Sequence, residues 1–164
     1  MSNLCGVDES PETIAWLQEI IDRSAATAGP AIRRGFSGDW AMSAREFVEF
    51  WTEGRMASIS TVSVKGDVHV APLDPAFRGG RFYVLTYNDS QRLKDHLANP
   101  RCAISSWDGP YRAVIVYGTV QITSDPALQL KGTVEEESMV TIEVTPTRIY
   151  AIRPPPGHHA GTPT

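Results

Sequence analysis

Cysteine is nearly absent: Cys5 and Cys102 lie far apart, and neither stands at a metal-ligand spacing from other ligating residues. A disulfide framework and a structural zinc site are therefore excluded, and the pair reads as reduced thiols of a cytoplasmic protein. No apolar run approaches the ~18 residues of a membrane span. The opening stretch, Met1 to Thr13, lacks the basic-then-apolar pattern of a signal peptide. Positive charge is not in excess either; the formal net charge is -4. That argues against nucleic acid or an anionic membrane as a partner. No nucleophile-elbow pattern occurs, so hydrolase chemistry has no support. What remains is an ordinary globular composition, 41% hydrophobic and 21% charged over 164 residues. Such a chain can bury a core without staples.

The chain reads in three parts: residues 1–42, a helical extension and linker; 43–153, a β-rich domain; and 154–164, a Pro/Gly-rich tail. Ser10-Pro11-Glu12 is a helix start, and Ile14, Leu17, Ile21 and Ala25 make one apolar stripe until Gly29-Pro30 ends it. Arg33 to Asp39 has no periodicity and reads as a linker. Ser43 with Glu46 is a capping box opening a second helix, whose apolar face is Phe47, Phe50 and Trp51. Gly54 suits its C-terminal cap.

After Gly54 the period changes to that of strands. Met56–Val64, Val68–Leu73, Arg81–Thr86, Arg101–Trp107, Tyr111–Thr123 and Met139–Ile152 are the six expected strands. Lys65-Gly66-Asp67, Arg78-Gly79-Gly80 and Asp108-Gly109-Pro110 turn the chain between them. Ser90 to Ala98 reads as a short inserted helix with Leu93 and Leu97 inward, stopped by Asn99-Pro100. Asp125 to Glu137 is ambiguous. Hairpin-length connections predict a mainly antiparallel sheet, and six strands suffice to close a small barrel. Val114-Ile115-Val116-Tyr117 is apolar at consecutive positions, which asks for cover on both faces, most simply from a second subunit.

The segment Thr86-Tyr87-Asn88-Asp89-Ser90-Gln91-Arg92 carries the most chemistry. A strand ends, a polar loop follows, and a helix begins at Ser90. Unpaired N–H groups and the positive dipole end meet there, with Thr86 and Ser90 hydroxyls and the Arg92 cation. Two readings are open. Either this set binds a phosphate, or Ser90 merely caps the helix while Arg92 and Lys94 are solvated.

The segment resembles the phosphate-binding motif of the pyridoxamine-phosphate-oxidase-like family of flavin-binding split β-barrels. That pattern is a strand-ending Thr, three residues, Ser-Arg-Lys, a Leu-containing helix and Asn-Pro. Here it stands as Thr86, Ser90-Gln91-Arg92, Leu97 and Asn99-Pro100. Met56 to Val62, then Gly66 and Val68 to Pro72, is similar to the family's first hairpin. Trp107 and Arg112 to Gly118 are similar to its tryptophan and following strand. The resemblance runs in order from about Ser43 to Ile122.

The resemblance implies an α+β, mainly β fold: a six-stranded antiparallel Greek-key split β-barrel, with the N-terminal helix pair and the short inserted helix. It implies a homodimer with a cofactor site at the subunit interface. Thr86, Ser90, Gln91 and Arg92 would hold the cofactor phosphate, and backbone from Val70 through Ala71 and Pro72 to Leu73 would line the ring. Trp107 would pack near the site. The implied cofactor is FMN, with the deazaflavin coenzyme F-420 or haem as alternatives. The implied activity is hydride transfer to or from a small molecule. A non-catalytic cofactor or haem binder on the same barrel is the competing reading. Three departures argue against authentic pyridoxamine-phosphate oxidation. Gln91-Arg92 replaces Arg-Lys, the strand glutamine falls at Ala113, and the C-terminal Arg-Trp segment has no counterpart.

The remaining candidates have plain readings. His69 is expected at the pocket rim and His96 on the helix surface, with haem ligation or proton transfer as the sharper role for each. His158-His159 lacks a third ligand, and Glu135 to Glu137 reads as a solvated loop. Tyr87 could stack on a ring or simply pack. Arg33-Arg34 could reach an anionic cofactor tail.

Overall fold

A computed structural model of the chain describes residues 9–123 and 138–158. Seven antiparallel strands form one sheet: β1 (Ala57–Val62), β2 (Val68–Leu73), β3 (Ala76–Arg78), β4 (Arg81–Tyr87), β5 (Arg101–Asp108), β6 (Arg112–Ile122) and β7 (Met139–Ile152). Their order is β2-β1-β5-β6-β7-β4-β3. β2 and β3 occupy opposite ends of that order, yet only Asp74 and Pro75 join them. The sheet must therefore curl until its two edges meet, which is a split barrel. The chain leaves β4 on one side and returns as β5 beside β1, the long crossover of a Greek key.

The sequence reading expected six strands. The seventh is β3, three residues squeezed between Asp74-Pro75 and the Gly79-Gly80 turn. Such a segment is too short to show a period. Gly66, at φ 88°, makes the β1–β2 turn, where the Ser63 N–H donates to the Asp67 carbonyl across 2.9 Å.

Among the described residues four helices accompany the sheet: α1 (Pro11–Thr27), α2 (Pro30–Gly35), α3 (Ala44–Thr52) and α4 (Gln91–Ala98). The expected linker at Arg33–Asp39 is instead α2 followed by a 3-10 turn, Gly38–Trp40. Pro30 starts α2, its fixed φ being suited to a first helical position. The capping box of α3 is formed on both sides: the Ser43 N–H donates to Glu46 Oε2 across 2.7 Å, and the Glu46 N–H to Ser43 Oγ across 3.3 Å. Phe47, Phe50 and Trp51 of α3 are buried: Phe47 meets Phe77 and Phe82, Trp51 meets Phe82 edge-on at 4.9 Å, and Phe50 packs edge-on against Trp51. α1 adds Leu17, Ile20 and Ile21 to the same core.

On β6, Val114 and Val116 are fully buried. The opposite face is partly covered by the chain itself, since Tyr117 meets Tyr150 edge-on at 6.3 Å. Leu97 does not face inward as expected; it is 70% exposed. The buried face of α4 is Leu93, Asp95 and His96, because Asp95 is drawn under the sheet by hydrogen bonds. Asp125 to Glu137 and His159 lie outside the described residues. No helix among the described residues is long and apolar enough to cross a membrane.

Candidate functional site

β4 delivers Thr86 to the base of the loop, where it is buried. The chain turns back through Asp89, and the Ser90 N–H donates to the Tyr87 carbonyl across 3.1 Å. Ser90 then caps α4: its Oγ accepts from the Leu93 N–H at 3.1 Å. The same Oγ lies 3.0 Å from Thr86 Oγ1, so two hydroxyls stand side by side at the helix start. The first N–H groups of α4 have no intrahelical acceptors, and the helix dipole is positive there. Arg92 follows one residue into the helix. Its Nε is buried with no hydrogen-bond partner, and no ion pair meets its guanidinium among the described residues. Burial lowers its pKa, yet a guanidinium stays charged. Among the described residues this part-buried cation has no counter-charge, and it stands beside two hydroxyls and a helix N-terminus, groups that can together take an anion.

These groups open onto a cleft of about 600 Å³. Its polar end holds Thr86, Ser90, Gln91 and Arg92. Its other wall is the stretch Val70, Ala71, Pro72 and Leu73 of β2, with Ile59 and Val84 behind. A polar, cationic end and an apolar wall suit a planar ring carrying a phosphate. Trp107 stands apart from this group. It is 69% exposed and lines a second cleft, about 430 Å³, with Met56, Ala57 and Ser58. The two clefts share Val70, Ala71 and Pro72. Gln91 reaches the cleft, but its amide is already engaged, donating from Nε2 to Asp95 Oδ1 across 2.8 Å.

Asp95 is the residue that sequence reasoning missed. It is 1% exposed and accepts three hydrogen bonds. Besides Gln91, Thr61 donates from Oγ1 to Oδ2 at 2.6 Å, and His69 meets the same Oδ2 through Nδ1 at 2.7 Å. Burial alone would raise its pKa, but the bonds from Thr61, Gln91 and His69, with the attraction of His69, hold it at about 2. Thr61 and His69 are directly opposed in the β1–β2 register, so both meet one carboxylate from α4. His69 lines the cleft, at the rim position expected of it.

His96 departs from expectation. It is buried, not on the helix surface, and neither ring nitrogen has a partner among the described residues. Burial and the nearby Arg92 charge, opposed by Asp95, push its pKa down to about 4. Tyr87 lines the cleft and is half-exposed. Arg33 and Arg34 are exposed on α2 and line neither cleft. His158 packs edge-on against Trp40 and Tyr111. No cluster of three metal-ligating side chains exists among the described residues.

The fold is widely shared among solved structures. A conserved hypothetical protein from Mycobacterium tuberculosis is 20% identical, with a TM-score of 0.62 over 71% of this chain and 88% of that one. An F420 reductase is 25% identical, with a TM-score of 0.50 over 57% of this chain and 87% of that one. HutZ, a haem storage protein from Vibrio cholerae, is 12% identical, with a TM-score of 0.54 over 66% of this chain and 93% of that one. No curated protein matches the chain in sequence. The sequence profile of the pyridoxamine 5'-phosphate oxidase family matches residues 43–153, which hold the whole sheet and the loop that opens α4. By that match over more than half its length, the chain belongs to the pyridoxamine 5'-phosphate oxidase family.

Proposed function

We propose that this protein is a flavin- or deazaflavin-dependent oxidoreductase transferring hydride to or from a small molecule. The observation that carries the reading is Arg92, a part-buried guanidinium whose Nε has no acceptor among the described residues, beside the Thr86–Ser90 hydroxyl pair. A cofactor phosphate would supply the acceptor, and the hydroxyls and first-turn N–H groups of α4 would complete its cradle. The backbone from Val70 to Leu73 would run along the ring, with Ile59 and Val84 keeping water from its inner side. When bound, the ring supplies two-electron hydride chemistry. The chain's own share is binding, orientation and desolvation. Similarity to an F420 reductase at 25% identity supports a deazaflavin as well as FMN. Ala113 and the Gln91 amide, already given to Asp95, speak against pyridoxamine phosphate as substrate.

We read the second cleft as the face closed by another copy of the chain. Met56 and Val70 are each 64% exposed there and Trp107 is 69% exposed, an apolar surface that a homodimer would bury.

Titration of the cofactor-stripped protein with FMN and coenzyme F-420 tests the reading. Arg92→Ala should weaken binding of either ligand by about 10- to 100-fold, the worth of a charge-assisted hydrogen bond, while circular dichroism stays unchanged. Equal affinity in the variant would defeat the assignment. A second reading, non-catalytic haem binding, is favoured by one feature: a carboxylate behind a cleft-lining imidazole is how metal-bound histidines are oriented. In that case His69→Ala abolishes haem binding and Arg92→Ala leaves it intact.

A further inference from the structure

Thr61, His69 and Gln91 all line the cleft, and one side chain behind them meets all three. Thr61 Oγ1 donates to Asp95 Oδ2 at 2.6 Å, His69 Nδ1 lies 2.7 Å from the same oxygen, and Gln91 Nε2 donates to Asp95 Oδ1 at 2.8 Å. Asp95 itself is buried and does not line the cleft. Resting on the reading of that cleft as a flavin site, we infer that Asp95 is a positioning residue. It fixes the β1–β2 hairpin, which carries the apolar wall for the ring, against α4, which carries the phosphate end.

The hairpin needs such a hold. β2 stands at the end of the sheet and pairs with β1 alone. β1 in turn pairs with β5 only from Ser58 to Ser60. The next residue, Thr61, and its cross-strand partner His69 are the pair that Asp95 takes. The carboxylate thus takes over where the ladder to β5 stops. Directly after His69 comes Val70, where the apolar wall begins that runs to Leu73.

On the other side, Asp95 lies one helical turn after Gln91, and Gln91 and Arg92 open α4. The Gln91 bond orients the carboxylate from within the helix, so both of its oxygens are held. Leu93 also seats α4 on the core. Apolar contact has no preferred direction, whereas hydrogen bonds constrain length and angle. The bonds of Asp95 therefore set how the two walls of the cleft stand to each other. That placement matters for a ligand that spans the cleft. A flavin phosphate engages both walls at once, its ring on β2 and its phosphate at Thr86, Ser90 and Arg92. Once one end is bound the other binds within the same complex, and the gain depends on a matching separation. Walls already in place also remove the ordering that binding would otherwise require.

The test is FMN titration of the full, cofactor-free chain in a double-mutant cycle between Asp95 and Arg92. Asp95→Ala should weaken FMN binding by about tenfold. Asp95→Asn keeps the shape and a carbonyl acceptor, and its amide can donate to the His69 ring, so it should retain most of the wild-type affinity. Once Arg92→Ala has removed the phosphate's cation, adding Asp95→Ala should weaken binding by no more than about twofold. Circular dichroism at the titration temperature establishes that each variant is folded. Where Asp95→Ala is not, Thr61→Val removes one bond from the hairpin side. It should cost about threefold in affinity, and nothing in the Arg92→Ala background. Wild-type affinity in a folded Asp95→Ala protein, or in Thr61→Val where that variant replaces it, overturns the inference and leaves the flavin reading standing. So does a loss that simply multiplies with that of Arg92→Ala, which marks a general loosening of the fold, and so does an Asn variant as weak as the Ala one. Absence of FMN and F-420 binding in the wild type defeats the flavin reading, and the inference falls with it.

Discussion

The backbone N–H of Ile149 donates to the hydroxyl of Ser24 across 3.0 Å, with both residues buried. β4 pairs with β7 only from Met139 to Val144, so the later half of β7 has no strand on that side. α1 covers this open edge, and Ser24 supplies the acceptor a strand would have given. The covering continues beyond the helix. The Met42 N–H donates to the Ala151 carbonyl at 3.0 Å, and the Arg153 N–H to the Trp40 carbonyl at 2.9 Å. The N-terminal extension thus closes an edge that would otherwise invite pairing with another chain.

Ser24→Ala should destabilise the protein by about 1–3 kcal/mol, because it leaves the Ile149 N–H buried without an acceptor. Urea denaturation checks this. A change of a few tenths of a kcal/mol would mean that water or a shifted helix satisfies the group.

Gly118 sits opposite Pro146 at a register shift between β6 and β7. A Cβ there would lie 2.7 Å from Val144 Cγ1 and 2.8 Å from the Thr145 carbonyl oxygen. The oxygen belongs to the backbone of the paired strand and cannot swing away. Gly118→Ala should cost about 1–3 kcal/mol by overpacking, seen as a lower melting temperature. Wild-type melting would show that the strand pair gives way freely.

Acid should act in two separate windows. His96 has its folded pKa lowered from 6.5 to about 4, so the unfolded chain takes its proton first; stability is full above the upper value and declines as pH falls between them. Asp95 is lowered from 3.8 to about 2, so its contribution is present above 3.8 and is lost as pH falls towards 2. Stability measured against pH should therefore show both declines. His96→Leu should remove the first and leave the second, because its neutral side chain replaces two unpartnered buried nitrogens. Asp95→Asn should remove the second. A His96→Leu profile identical to wild type would place the first decline elsewhere.

Much of the architecture was readable from local patterns. The α3 capping box, the Gly66 turn, the Ser90 cap and the Asn99-Pro100 stop are encoded within a few residues, and they stand where local chemistry put them. β3 was not readable, because three residues carry no period. Nor was α2, whose exposed surface leaves no apolar stripe to detect.

The Thr86–Arg92 loop was legible for the same reason as the caps: Thr86, Ser90 and Arg92 are close in sequence, and a strand-to-helix turn brings them together by itself. His69 and Asp95 are far apart in sequence and belong to different elements. Their meeting needed β1 and β2 to pair and α4 to lie across them. Likewise, no periodicity in α1 announced that Ser24 would serve Ile149. Sequence alone determined six of the seven described strands, most turns and the Thr86–Arg92 loop, since each depends on short-range chemistry. Tertiary structure alone decided which carboxylate stands behind His69, how His96 is buried and where the N-terminal helix docks, since hydrogen-bond partners and burial are set by distance in space.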